Sequence, residues 1–371
     1  MHASCSGCCP TQKRGWFCLA PAILLNTQVG QDFVKVPASQ NVWLAGMAEG
    51  LCELGFSVHI PWSLRGPNSA ANTELETVKQ RFGELYGVTG DRIEIFDARE
   101  IAGQSIPRRF DALWSRDPEL LSKSVSHNQV RIAEFHGGAK EVAIPEITRE
   151  QSIPLVTVTR TWAERFGAQA VAEPGALRVF FDSRQERLAS RLPGISGIYA
   201  GGLDPDRIDG VGVLSLRQLV AQGVSLEVVG GNLSVEVDIL RWLMGRSREK
   251  VKFYGYVAPA LAARLMHQSD FAVALKSERS APSAPIKLIA FAAAKLPLLV
   301  SPAFFRPDYS GATARTLKAH PFKHGLRTRA GAALHDALSA RVADTAHNFE
   351  IALDNTFARR IEKTGLAKLL T

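Results

Sequence analysis

Phe271-Ala-Val-Ala-Leu275-Lys-Ser-Glu278-Arg-Ser-Ala-Pro-Ser283-Ala284-Pro285-Ile-Lys287-Leu-Ile-Ala290-Phe-Ala-Ala-Ala-Lys295-Leu-Pro297-Leu-Leu-Val300 reads, in order, as strand, polar loop, helix and strand. Phe271 to Leu275 is a continuous apolar run, the pattern of a strand buried on both faces. Pro285 suits the first position of a helix, because the N–H it lacks is one that goes unpaired there in any case. Lys287 then falls in the first helical turn, where free backbone N–H groups and the helix dipole already favour negative charge. The spacing predicts an anion at this helix start, and a phosphate is the simplest one. A solvated lysine reads the same way on this segment alone, so the weight rests on the rest of the chain.

At 371 residues the chain exceeds what one hydrophobic core usually holds, so two domains are expected. A hydrophobic content of 46% with 22% charge is ordinary for a globular protein, and no apolar window is long enough to span a bilayer. Trp16 to Leu25, behind Lys13 and Arg14, has the outline of a short signal peptide, but no small-residue cleavage site follows. Ala22 to Leu25 works instead as a first buried strand. The net charge of +8 is dispersed and lacks a basic stripe with interleaved aromatics, which argues against nucleic acid as a partner. Cys5, Cys8, Cys9 and Cys18 crowd the first eighteen residues, while Cys52 stands alone. Cys5-Ser-Gly-Cys8 has metal-like spacing without a second Cys or His pair, so no metal site is expected. The absence of a disulfide framework fits a reducing, cytoplasmic compartment.

Outward from the opening segment, apolar runs alternate with helical patterns, which implies parallel sheets. The expected strands of the first half are Ala22–Leu25, Val58–Pro61, Ile93–Phe96, Ala112–Trp114, Arg131–His136, Leu155–Val158 and Arg178–Phe181. Among the helices, Ser39–Leu54 is the clearest, with Val42, Leu44, Ala45, Ala48, Leu51 and Leu54 on one period and Gly55 as its cap. Composition turns to Arg, Ser, Pro and Gly near Arg187 to Gly197, where a domain boundary is placed. A second alternation follows, with strands Ile198–Gly201, Ser225–Val229 and Val251–Tyr254 and helices Val211–Gln222, Val235–Met244 and Pro259–Gln268. The predicted fold is therefore α/β, with two Rossmann-like doubly wound domains facing across a cleft. Residues 1–18 form a tail, 19–188 and 189–340 the two domains, and 341–371 a terminal helix that docks back, with Phe349, Leu353 and Phe357 on one stripe.

Open parallel sheets bind ligands beyond the carboxyl ends of their strands. In the second half those positions hold Gly201-Gly202-Leu203 with Arg207 after it, Gly230-Gly231-Asn232, Gly255-Tyr256-Val257 and the loop from Lys276 to Ala284. Glycine lets a ligand approach the backbone, and equally serves a tight turn; Arg207 and Lys287 beside these glycines add the charge to hold a diphosphate without a metal. Three further runs bear on identity: Val251-Lys-Phe-Tyr-Gly-Tyr256-Val257, Leu113-Trp-Ser-Arg116-Asp-Pro-Glu-Leu and Ala133-Glu134-Phe-His136-Gly137. Together with Gly201-Gly202-Leu203 and Arg207, Pro285-Ile-Lys287-Leu and Pro297-Leu-Leu-Val300, they resemble, in order along roughly residues 20 to 360, the GT-B-fold retaining glycosyltransferases of family four.

That resemblance implies transfer of a sugar from a nucleotide diphosphate sugar to a glycan or lipid-linked acceptor, with retention and without metal or other cofactor. The first domain would take the acceptor and the second the nucleotide sugar. Arg207 and Lys287 would stabilise the departing diphosphate, His136 would reach the donor from the opposite domain, and Gly255 and Tyr256 would hold the base. Gly201, Gly202, Gly230, Glu278, Ser283 and Ala284 complete the implied donor site. A lipid-borne acceptor leaves a peripheral contact with the inner face of a membrane open. The chain departs from the pattern at Ala290, where the resemblance implies a ribose-binding glutamate, at Lys295 in place of a helix-end glycine, and at Gly202 in place of an arginine. Asn26-Thr-Gln-Val-Gly30-Gln31 replaces the usual double-glycine loop. These departures define the alternative, a catalytically degenerate GT-B-like binding or scaffold protein. No Gly-x-Gly-x-x-Gly opens a helix after a strand, which disfavours a dinucleotide oxidoreductase.

Overall fold

The computed structural model describes residues 20–26, 39–62, 71–88, 91–101, 103, 105–123, 125–126, 128–137, 141–182, 194–203, 210–230, 245–275, 286–305, 316–322 and 330–370. The strands of the first sheet are β1 (Ala22–Asn26), β2 (Ser57–Trp62), β3 (Ile93–Asp97), β4 (Ala112–Ser115), β5 (Val130–Phe135), β6 (Leu155–Thr157) and β7 (Ala170–Val171). Its helices are α1 (Ser39–Glu53), α2 (Ala71–Tyr86), α3 (Pro118–Ser122), α4 (Ile144–Glu150) and α5 (Arg160–Phe166). All pairings are parallel, in the order β3-β2-β1-β4-β5-β6-β7, with Ala22 opposite Ser57 and Leu25 opposite Trp114.

The second sheet is built from β8 (Ser196–Ala200), β9 (Ser225–Val229), β10 (Val251–Gly255), β11 (Phe271–Ala274), β12 (Leu298–Val300) and β13 (His320–Pro321). It is also parallel throughout, in the order β10-β9-β8-β11-β12-β13. Around it lie α6 (Gly210–Ala221), α7 (Pro259–Gln268), α8 (Ile286–Ala293), α9 (Ala330–Ser339) and α10 (Arg341–Leu353), and α11 (Phe357–Thr364) follows them to pack on α1. Strands β11 and β12 are buried along their whole length, as their unbroken apolar sequences require, and β9 is equally buried although it carries Ser225 and Glu227. In each sheet the winding reverses once, between β1 and β4 and between β8 and β11. At such a reversal the connections leaving neighbouring strands run to opposite faces of the sheet, which opens a crevice for a ligand beyond their carboxyl ends.

Three elements differ from the sequence reading. Arg178–Phe181 is not a strand: Arg178–Phe180 is a single 3-10 turn, and the seventh strand is the two-residue Ala170–Val171. The run is apolar because Phe180 packs into the core, with Arg178 turned outward to Glu53, and periodicity over four residues cannot separate the two cases. Strand β13, two residues with a proline, gives no pattern to read. The terminal segment is not one helix. It breaks at Asp354-Asn355, and Thr356 starts α11 by accepting the N–H of Arg359 on its side chain. The break turns Phe357 away from the stripe of Leu353, which is 38% exposed, and buries it against α1. Helix α10 packs on α8 beside the second sheet, so α10 and α11 carry the chain from one sheet back to the other. The tail over residues 1–18, the helix expected at Val235–Met244 and most of the expected boundary region lie outside the described residues.

Candidate active site

Strand β8 ends into Gly201, β9 into Gly230 and β10 at Gly255, all with positive φ. The three are stitched side by side: Gly201 N–H donates to Val229 at 2.9 Å, and Gly230 N–H donates to Gly255 at 2.7 Å. A Cβ on Gly230 would lie 2.2 Å from the carbonyl oxygen of Gly201, so glycine is required there by the approach of the strand ends themselves. Lys287 reaches this row from the first turn of α8. Its Nζ lies 3.4 Å from the carbonyl of Leu275, at the end of β11, and 5.2 Å above the ring of Tyr199. A Cβ on Gly201 would come within 2.6 Å of that ammonium. Tyr199 in turn donates its hydroxyl to the carbonyl of Gly202 at 2.7 Å. The cation thus stands between the ends of β8 and β11, where the second sheet reverses its winding. Tyr256 follows Gly255 and is 50% exposed, an aromatic face free to stack. Ala290 is buried in the core face of α8, so a methyl, not a carboxylate, occupies that position. Arg207, Glu278, Ser283 and Ala284 lie outside the described residues.

His136 lies at the carboxyl end of the first sheet, one residue past β5. Its Nε2 is 2.5 Å from Glu134 Oε1, and its backbone N–H donates to Glu141 Oε2 at 2.6 Å. Glu134 is completely buried and accepts a second bond, from Trp114 Nε1 at 2.7 Å. Burial opposes ionisation of Glu134, yet the adjoining imidazole, the guanidinium of Arg116 and the indole N–H of Trp114 together hold its carboxyl below the usual carboxylate range. Arg116, at the end of β4, is itself buried and grips Glu141 through Nε at 3.1 Å and through Nη2. The indole of Trp43, on α1, meets the His136 ring edge-on at 4.8 Å and the Phe357 ring of α11 at 5.5 Å.

The structure therefore gathers Gly201, Gly202, Gly230, Gly255, Tyr256 and Lys287 at one sheet's carboxyl end and sets His136 at the other's. Glu134, Arg116, Glu141, Trp43 and Tyr199 were not singled out as site residues. Glu134-x-His136 carries a signal, since residues two apart on a strand share a face. Glu141 and Trp43 carry none, because only the tertiary fold brings them to His136. Among the described residues no group of three or more His, Cys, Asp and Glu is placed to hold a metal ion, and no helix is long and apolar enough to cross a membrane.

No family model matches the chain, and neither does any curated protein sequence. Solved structures do match over nearly the whole length. AviGT4, a glycosyltransferase involved in avilamycin A biosynthesis, is similar at a TM-score of 0.59 and 13% identity, covering 95% of this chain and 98% of its own. Anabaena HepE in complex with UDP aligns at 0.60 and 13% over 94% of this chain and 100% of its own. TarM aligns at 0.63 and 8% over 96% and 99%. The chain has the GT-B fold of these proteins.

Proposed function

We propose that the protein is a glycosyltransferase that moves a sugar from a nucleoside diphosphate sugar to a glycan or lipid-linked acceptor, with retention at the anomeric carbon and without a metal. The observation that carries this reading is the position of Lys287. Its ammonium is fixed against the glycine that ends β8, at the winding reversal where a doubly wound sheet accepts ligands. When a glycosyl bond to a diphosphate breaks, negative charge grows on the departing phosphate oxygens. A cation already in place, in partly buried surroundings, stabilises that charge without reorganising at the moment of reaction. Arg207 supplies the second cation, Gly255 and Tyr256 the surface for the base, and Glu278, Ser283 and Ala284 the edge of the donor pocket. His136 meets the donor sugar from the first domain. HepE, which shares the fold, is also described in complex with UDP-glucose, which supports a nucleotide sugar as the partner here. The protein acts in the cytoplasm, at the inner face of the membrane if its acceptor is lipid-borne.

A second reading is favoured by Ala290. A buried methyl cannot accept hydrogen bonds from ribose hydroxyls, so a degenerate chain that keeps the fold as a binding or scaffold subunit but has lost the nucleotide sugar fits that position. One measurement separates the two. The melting temperature of the purified protein is followed in EDTA with UDP, GDP, ADP and CMP in turn. A ligand at about a hundred times its dissociation constant adds roughly 2.7 kcal/mol of stability. A clear rise with one nucleoside diphosphate is expected, and it names the base. No rise with any of them makes the degenerate reading the better one.

A further inference from the structure

Two carboxylates grip His136 at two different atoms. Glu141 takes its backbone N–H and so fixes where the residue sits; Glu134 takes Nε2 and so fixes how the ring is rotated. Each carboxylate is held from behind, Glu134 by the indole of Trp114 and Glu141 by the guanidinium of Arg116. All four supporting side chains are buried, and Trp43 closes the ring from its edge. A histidine needed only for packing has no use for a fully buried carboxylate on its ring nitrogen, since burying such a group is costly unless each oxygen is satisfied. Here both oxygens are. An ionised carboxylate only accepts, so the hydrogen of that contact belongs to Nε2, and in the neutral ring Nδ1 is left as the acceptor.

We propose that Glu134 is the positioning residue of the site: it commits Nε2–H of His136 inward, so that Nδ1 is the atom His136 presents to the bound sugar nucleotide. The inference rests on the reading of His136 as a donor-site residue, and its test has one arm that does not need transfer to occur. In protein carrying ¹⁵N-labelled histidine, the Nε2–H of His136, assigned by its loss in His136→Asn, should appear downfield and exchange slowly with solvent. In Glu134→Gln, which keeps size but removes the charge, that resonance should move or be lost to fast exchange. With the nucleotide sugar identified from the melting series, Glu134→Gln should lower kcat at least tenfold while nucleotide affinity stays within twofold. An unchanged resonance in Glu134→Gln, an unchanged kcat, or equal losses of kcat and nucleotide affinity would each overturn the assignment. If Glu134→Gln does not fold, Trp114→Phe keeps the carboxylate and removes one of its anchors; faster exchange of the same proton and an intermediate kcat are then expected, and wild-type values refute it. A wild type that binds no nucleoside diphosphate sinks the transferase reading instead, and the Nε2–H measurement still decides the role of Glu134.

Discussion

Lys287 shows how a single side chain acquires a task from its neighbours. On a free helix its ammonium would sweep through solvent, whereas here the Leu275 carbonyl and the Tyr199 ring face hold it at the end of β8. Replacing it by alanine removes the charge without opening the sheet, because the strands on either side are hydrogen-bonded to each other and not through it. Lys287→Ala is expected to lower turnover by about a hundredfold or more, the scale set by losing one preorganised group that stabilises charge in the transition state. Its melting temperature should stay near that of the wild type; turnover within a few-fold of wild type would remove Lys287 from the mechanism. The lysine was legible in the sequence because a proline marks the helix start two residues before it. Lys295 was legible only as a departure. It stands at the end of α8 with φ of 57°, the left-handed conformation that favours glycine, and its ammonium lies 4.1 Å over the Phe349 ring of α10. That cation–π contact accounts for keeping a lysine at a position its backbone disfavours.

Helix α1 and helix α11 meet through glycine. A Cβ on Gly46 would lie 2.1 Å from the Phe357 ring, and one on Gly50 would lie 2.7 Å from the backbone nitrogen of Ala358. The two backbones approach because α1 offers no side chains at these points, and the aromatic ring fills the space. An alanine in a helix interior normally gains about 1 kcal/mol over glycine. Here the ring has nowhere to go, boxed in by Trp43, and overpacking a core costs roughly 1–3 kcal/mol. Gly46→Ala should therefore destabilise the protein in urea titration, reversing the order of helix propensity; a more stable variant would show that α11 shifts freely. Elements of this kind mark the limit of reading by pattern. The parallel sheets announce themselves in runs such as Phe271 to Leu275, since a strand covered on both faces has no polar side to interrupt it. The turn at Arg178, the short strands β7 and β13 and the break before Thr356 are decided by contacts distant in sequence, so no local period marks them.

At the scale of the whole molecule, the 3-10 turn at Arg178–Phe180 lies between the two halves. Glu53 binds the Arg178 guanidinium at 2.6 and 2.8 Å, Glu49 accepts its backbone N–H at 3.0 Å, and the turn packs against α7 and α8. Burial pushes Glu49 up to about 7, and the neighbouring Glu53 charge adds to the rise, against the opposing pull of the Arg178 N–H and guanidinium. A folded-state value above the unfolded one means that the unfolded chain releases this proton first. Stability should fall as pH rises from about 4.5 towards 7 and level off above it, by at most about 3 kcal/mol from this group. In Glu49→Gln that decline should be missing from the urea midpoint measured across the same range. An identical decline in the variant would assign it to another group. The same scale explains what could be read of the site and what could not. Lys287, the glycines and His136 sit where strands end, which the alternation reveals; the grip on His136 spans β4, β5, α1 and the residues before α4, which no single segment contains.

Phe357 touches Trp43, and Trp43 touches the ring of His136. Among the described residues, every strand of both sheets precedes Phe357 in the chain. The tryptophan that flanks the histidine is therefore covered by a residue that follows both sheets in sequence, and a chain cut at residue 356 would hold both sheets yet leave that tryptophan uncovered.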